Sequence, residues 1–102
     1  MIAMENKDIK ALINKIIKFR DSRGWDKHDT PENLVKSIVI EAAELLENFQ
    51  WGTEIEDLQD VKDEIADITI LLFALVHDLD LNLQNIVEEK LEKIAIKYPI
   101  KK

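Results

Sequence analysis

Glu41 and Glu44, and again Glu64 and Asp67, repeat one spacing, two acids three residues apart, inside the two most apolar stretches of an otherwise polar chain. On a helix, residues i and i+3 stand on one face about a turn apart, so each pair aims two carboxylates at one point. Two such pairs on neighbouring helices make an all-oxygen site, and oxygen donors select hard divalent cations, magnesium first and manganese as the other candidate. Magnesium keeps several waters and shares its shell with phosphates, so the pattern points to phosphate chemistry. Packing the two helices by their apolar sides would bring four carboxylates together at the edge of a core, where repulsion and desolvation are costly unless a cation intervenes. A di-iron bundle would instead need a Glu-x-x-His on its helices, and the two histidines, His28 in a loop and His77 near a helix end, do not supply it.

The elements that must hold these acids are legible from periodicity and caps. Ile9, Leu12, Ile13, Ile16, Ile17 and Phe19 recur at three- and four-residue steps, predicting a first helix from Glu5 to about Arg23 that Gly24 ends. Gly24 to Asp29 reads as a polar loop, and Thr30-Pro31 supplies an N-cap and first-turn proline for a second helix running to about Trp51. Gly52 breaks the chain. Thr53 to Glu56 has the capping-box form, so a third helical region is expected to start there, either as a short helix through Leu58 resuming near Asp60 or unbroken to Leu79. Asn82 is the candidate cap of a fourth helix ending around Lys97, before Pro99. Ser37, Glu41, Glu44 and Asn48 share one face of the second helix, as Asp57, Asp60, Glu64 and Asp67 do on the third.

Four helices in 102 residues, with two Gly and two Pro, predict a single all-α domain spanning 1–102, a four-helix antiparallel bundle. The net charge of −7 and scattered basic residues exclude a polymeric nucleic-acid partner. The absence of cysteine excludes disulfides and thiolate metal sites and fits a cytoplasmic location. Met1 to Lys10 mixes charges among its apolar residues and has no signal-peptide apolar region. Ile65 to Val76, interrupted by Asp67 and Thr69, falls short of the roughly 20 residues of a membrane span. It reads as a buried helix, and because it is apolar on nearly all sides it is expected to pack against a second copy.

The run Glu41-Ala42-Ala43-Glu44-Leu45-Leu46-Glu47-Asn48-Phe49-Gln50-Trp51, followed by Val61-Lys62-Asp63-Glu64-Ile65-Ala66-Asp67-Ile68, resembles the MazG-like nucleoside triphosphate pyrophosphohydrolases, and most of all their short, single-domain dCTP-pyrophosphatase-like branch. Phe19 to Trp25, Pro31-Glu32-Asn33-Leu34, Lys90 and Lys97-Tyr98-Pro99 extend the likeness over nearly the whole chain. The resemblance implies an all-α bundle assembling as a dimer or dimer of dimers. It implies magnesium held by Glu41, Glu44, Glu64 and Asp67, and a nucleoside triphosphate cleaved by water between the α and β phosphates to nucleoside monophosphate and pyrophosphate. Glu41 or Glu44 would accept the water's proton. Trp25 and Trp51 would border the base, with Arg20, Arg23, Lys90, Lys97 and Tyr98 as phosphate or base contacts and Asn33 either in the site or capping the second helix.

Three positions depart from that branch. His28-Asp29 stands where relatives carry His after an aromatic, Ile94 where they usually carry Asn, and Leu71 where they commonly carry the Tyr associated with the sugar. The short connection between Glu44 and Glu64 suits a bacterial, archaeal or viral member. Two other readings fit the residues: a non-catalytic helical oligomerisation module, and a pyrophosphohydrolase of a phosphoribosyl-nucleotide.

Overall fold

The computed structural model describes the backbone of residues 2–101 and the side chains of residues 7–101, so the reading of Met1 to Lys10 as no export signal lies partly outside the described residues. Four helices follow one another: α1 (Ile2–Ser22), α2 (Pro31–Glu47), α3 (Leu58–Asp78) and α4 (Leu83–Lys97). One turn of 3-10 helix, Trp25–Lys27, lies within the polar loop. Gly24 turns the chain there with φ 70°, the left-handed conformation that glycine adopts without a steric penalty.

Three caps fall where side-chain chemistry places them. The Thr30 hydroxyl accepts from the Asn33 amide, Asp57 from the Asp60 amide and Asn82 from the Asn85 amide. The Asp57 cap corrects the expected start at Thr53, and α2 stops at Glu47 rather than Trp51. The segment between holds one branched aliphatic, Ile55, which stays half exposed, so a helix begun at Thr53 would bury little. A start at Leu58 instead puts Val61 into the core, with its amide bonded to the Asp57 carbonyl.

α2 and α3 form an antiparallel hairpin whose register is visible in three layers. Asn48, the C-cap of α2, donates to Asp60 of α3 at 2.8 Å. Seven residues further into each helix, Glu41 lies beside Asp67, and after another seven Leu34 packs with Ala74. Seven residues are two helical turns, so the same seam carries a polar tie, a carboxylate layer and an apolar layer. α1 closes the apolar layer with Ile13 and Ile17, against Leu71 and Leu75 of α3. Leu34, 1% exposed, sits at its centre.

α4 carries no buried residue, and Val87, Leu91 and Ile94 form an open apolar stripe along it. The radius of gyration is 16.4 Å, against about 13 Å for a compact domain of this length. The accessible surface of 8418 Å² likewise exceeds the roughly 6,000 Å² usual for a monomer of this mass. No helix among the described residues is long and apolar enough to cross a membrane.

Candidate metal centre and its groove

Oxygen atoms of Glu41, Glu64 and Asp67 lie within 4.8 Å of one another. Glu64 is buried at 8% exposure, Glu41 is half-buried and Asp67 is exposed, so the cluster opens to solvent on one side. Glu44, also exposed, stands at its edge. One oxygen each of Glu41 and Glu64 is buried without a hydrogen-bond partner. A buried acceptor left unpaired is destabilising by about 1–3 kcal/mol, more for a charged group.

The electrostatics follow from that crowding. Burial, then the hydrogen bonds and charges of Glu41 and Glu44, push Glu64 up to about 7. The hydrogen bond with Glu64 holds Glu41 down, yet burial and the neighbouring Glu44 and Asp67 outweigh it and leave Glu41 above the usual carboxylate range. Converging, desolvated carboxylates with orphaned oxygens fit a hard divalent cation, which would satisfy the free lone pairs and remove the repulsion.

Asp67 also belongs to a groove of about 960 Å³ between α1, the 3-10 turn and α3, within the size range of small-molecule sites. Its floor is apolar, from Ile16, Leu71 and Ala74, and Phe19 and Trp25 form an aromatic wall with ring centroids 6.0 Å apart at 65°. The Arg23 guanidinium lies 3.4 Å over the Phe19 ring and 5.9 Å from that of Trp25. The groove therefore offers a flat apolar slot beside the acids.

The predicted site residues divide clearly. Glu41, Glu64 and Asp67 converge with Glu44 beside them, and Trp25 and Arg20 line the groove. Arg20 is already engaged: its side chain, 9% exposed, donates to both Asp78 oxygens at 2.7 and 3.1 Å and to Asp21 at 3.0 Å. The Arg20 hydrogen bond holds Asp78 below the usual carboxylate range. Arg23 packs on the aromatic wall, and Asn33 donates its amide to the His28 carbonyl at 2.9 Å, a loop-holding role. Trp51, 82% exposed, Lys90 in the middle of α4, and Lys97 and Tyr98 at its end lie outside the groove, with the Lys97 ammonium 5.5 Å from the Tyr98 ring. Sequence reasoning missed Lys15 and treated Ile16 as core. Both stand within a turn of Phe19 on α1, and Lys15, four residues before Phe19, shares its face.

A crystal structure of a pyrophosphatase from Archaeoglobus fulgidus DSM 4304 has the same fold, with TM-score 0.84 and 40% identity over 91% of this chain and 94% of that one. The dCTP pyrophosphatase 1 of Homo sapiens is 30% identical over 91 residues and that of Rattus norvegicus 28% over 92, covering 80% and 81% of this chain and 54% of each relative. The chain thus spans about half the length of these mammalian relatives. The segment from residue 36 to 102, which holds the whole carboxylate layer and α4, matches the MazG-like family, and the chain belongs to that family.

Proposed function

We propose that the chain is a divalent-metal-dependent nucleotide pyrophosphohydrolase that cleaves nucleoside or deoxynucleoside triphosphates between the α and β phosphates, a housekeeping role in the cytoplasmic nucleotide pool. One observation carries this reading: a carboxylate layer with two orphaned buried oxygens occupies a hairpin seam whose next layer is apolar core, and it opens onto an aromatic groove. Glu41, Glu64 and Asp67, with Glu44 at the edge, would hold magnesium or manganese. Bound there, such an ion supplies charge for phosphate oxygens and lowers the pKa of a water. Glu44 or Glu41 takes the proton of the attacking water, Glu44 being the acid outside the tight trio. Trp25 and Phe19 receive the base on the groove's aromatic wall, where stacking is favourable for any base.

Assembly belongs to this reading. The excess surface and the open stripe of α4 support a homodimer or homotetramer, and α4 of a second copy would bring Lys90, Lys97 and Tyr98 towards a site that they do not reach within one chain. The direct test incubates purified protein with magnesium and a panel of natural and modified triphosphates and assays pyrophosphate. Monophosphate and pyrophosphate from at least one are expected; no pyrophosphate from any, at high protein concentration, refutes the reading.

A further inference from the structure

Two carboxylates line the groove: Asp67 belongs to the acid cluster, and Asp29 does not. Asp29 lies on the wall beside Trp25, its side chain 29% exposed, and no described residue donates a hydrogen bond to it. Its nearest cation, the Arg20 guanidinium, is 3.9 Å away, beyond hydrogen-bond reach, and is turned to Asp78 and Asp21. The position is nevertheless held firmly. The Asp29 amide donates to the Trp25 carbonyl at 3.2 Å, the preceding His28 carbonyl accepts from Asn33, and Thr30 caps α2. Backbone bonds thus place the carboxylate beside the aromatic wall, paired at 3.9 Å with Arg20 but accepting no hydrogen bond from a described residue.

We infer that Asp29 is a specificity-determining residue that selects bases presenting an exocyclic amino group, as in cytosine, adenine and guanine, over uracil and thymine. The inference rests on the proposed pyrophosphohydrolase reading, in which this groove takes the base. A carboxylate accepts and cannot donate. Cytosine and adenine offer an amino N–H at the edge of the ring, and guanine offers two adjacent donors, N1–H and its amino group. Uracil and thymine instead present one N–H between two carbonyl oxygens, which would face the Asp29 oxygens with like partial charges. Sites built to bond a donor reject analogues lacking it, because their own polar group is then left unpaired. The partial exposure of Asp29 limits the discrimination here to about tenfold.

The test compares kcat/KM for dCTP, dATP and dGTP with dUTP and dTTP, in the wild type and in Asp29→Asn and Asp29→Glu, with binding of α,β-nonhydrolysable dCTP and dUTP analogues measured in parallel. The wild type is expected to favour amino-bearing bases by about tenfold. Asp29→Asn, which can donate as well as accept, should bring that ratio close to one, and Asp29→Glu should keep the preference in weakened form. Thermal melts establish that each variant is folded, and if Asp29→Asn is not, Asp29→Glu against Asp29→Ala gives the same comparison. Equal kcat/KM across the panel, or a ratio that Asp29→Asn leaves unchanged, overturns the inference. If no triphosphate is hydrolysed, the pyrophosphohydrolase reading fails by itself, and equal binding of the two analogues then separately overturns the role of Asp29.

Discussion

Glu64 is where burial and charge conflict most sharply. Its value of about 7 stands above the ordinary 4.5, so in metal-free protein its protonated form favours the fold. That contribution is complete below about 4.5 and is lost as pH rises through about 7. The melting temperature of chelator-treated protein should therefore fall between about pH 5 and pH 8, and Glu64→Gln should flatten the slope. Magnesium should raise the melting temperature more at the alkaline end, since protons compete with the ion for the same oxygens. Glu64→Gln and Asp67→Asn should each lower kcat/KM by about a hundredfold, while a variant with full activity would refute the assignment. The acids themselves were legible because i, i+3 spacing is a property of one helix. Their unequal burial was not, since it depends on how two helices are aligned. Arg20 shows the same limit: its partner Asp78 is 58 residues away, so the sequence offered a free cation where the fold holds a bound one.

At the scale of elements, the Arg20–Asp78 pair fastens α1 to the end of α3 and so holds the loop carrying Trp25 and Asp29 over the groove. Asp78→Asn leaves the covered Arg20 guanidinium with Asp21 at 3.0 Å and Asp29 at 3.9 Å but takes away its charged main partner, so it should destabilise by about 2 kcal/mol in urea melts. Because Asp78 titrates below its ordinary range, this stability is present above that range and lost as pH falls through the depressed value. The end of α3 carries a smaller conflict. Asp80 sits at φ 54° in the left-handed region, where the Leu81 amide closes onto the Val76 carbonyl at 3.0 Å. Glycine is preferred there, so Asp80→Gly should stabilise by up to about 1 kcal/mol. Caps at Thr30 and Asn82 were readable from single residues, whereas the box at Thr53 misled because capping chemistry without an apolar face to bury does not make a helix.

For the whole molecule, the all-α architecture and its four helices follow from periodicity, yet one chain leaves the α4 stripe and much of α3 uncovered. Light scattering should report a dimer or larger species, and Leu91→Glu with Ile94→Glu should shift it towards monomer and lower activity together. Retained assembly in that variant would move the contact elsewhere. The central claim, that Glu41, Glu64 and Asp67 converge in order to hold metal against a triphosphate, is tested most directly by anomalous diffraction. A crystal grown with manganese and a nonhydrolysable nucleotide should show a peak about 2.2 Å from their oxygens, with phosphate oxygens on its far side. A nucleotide bound with no anomalous density among these three carboxylates would contradict the account.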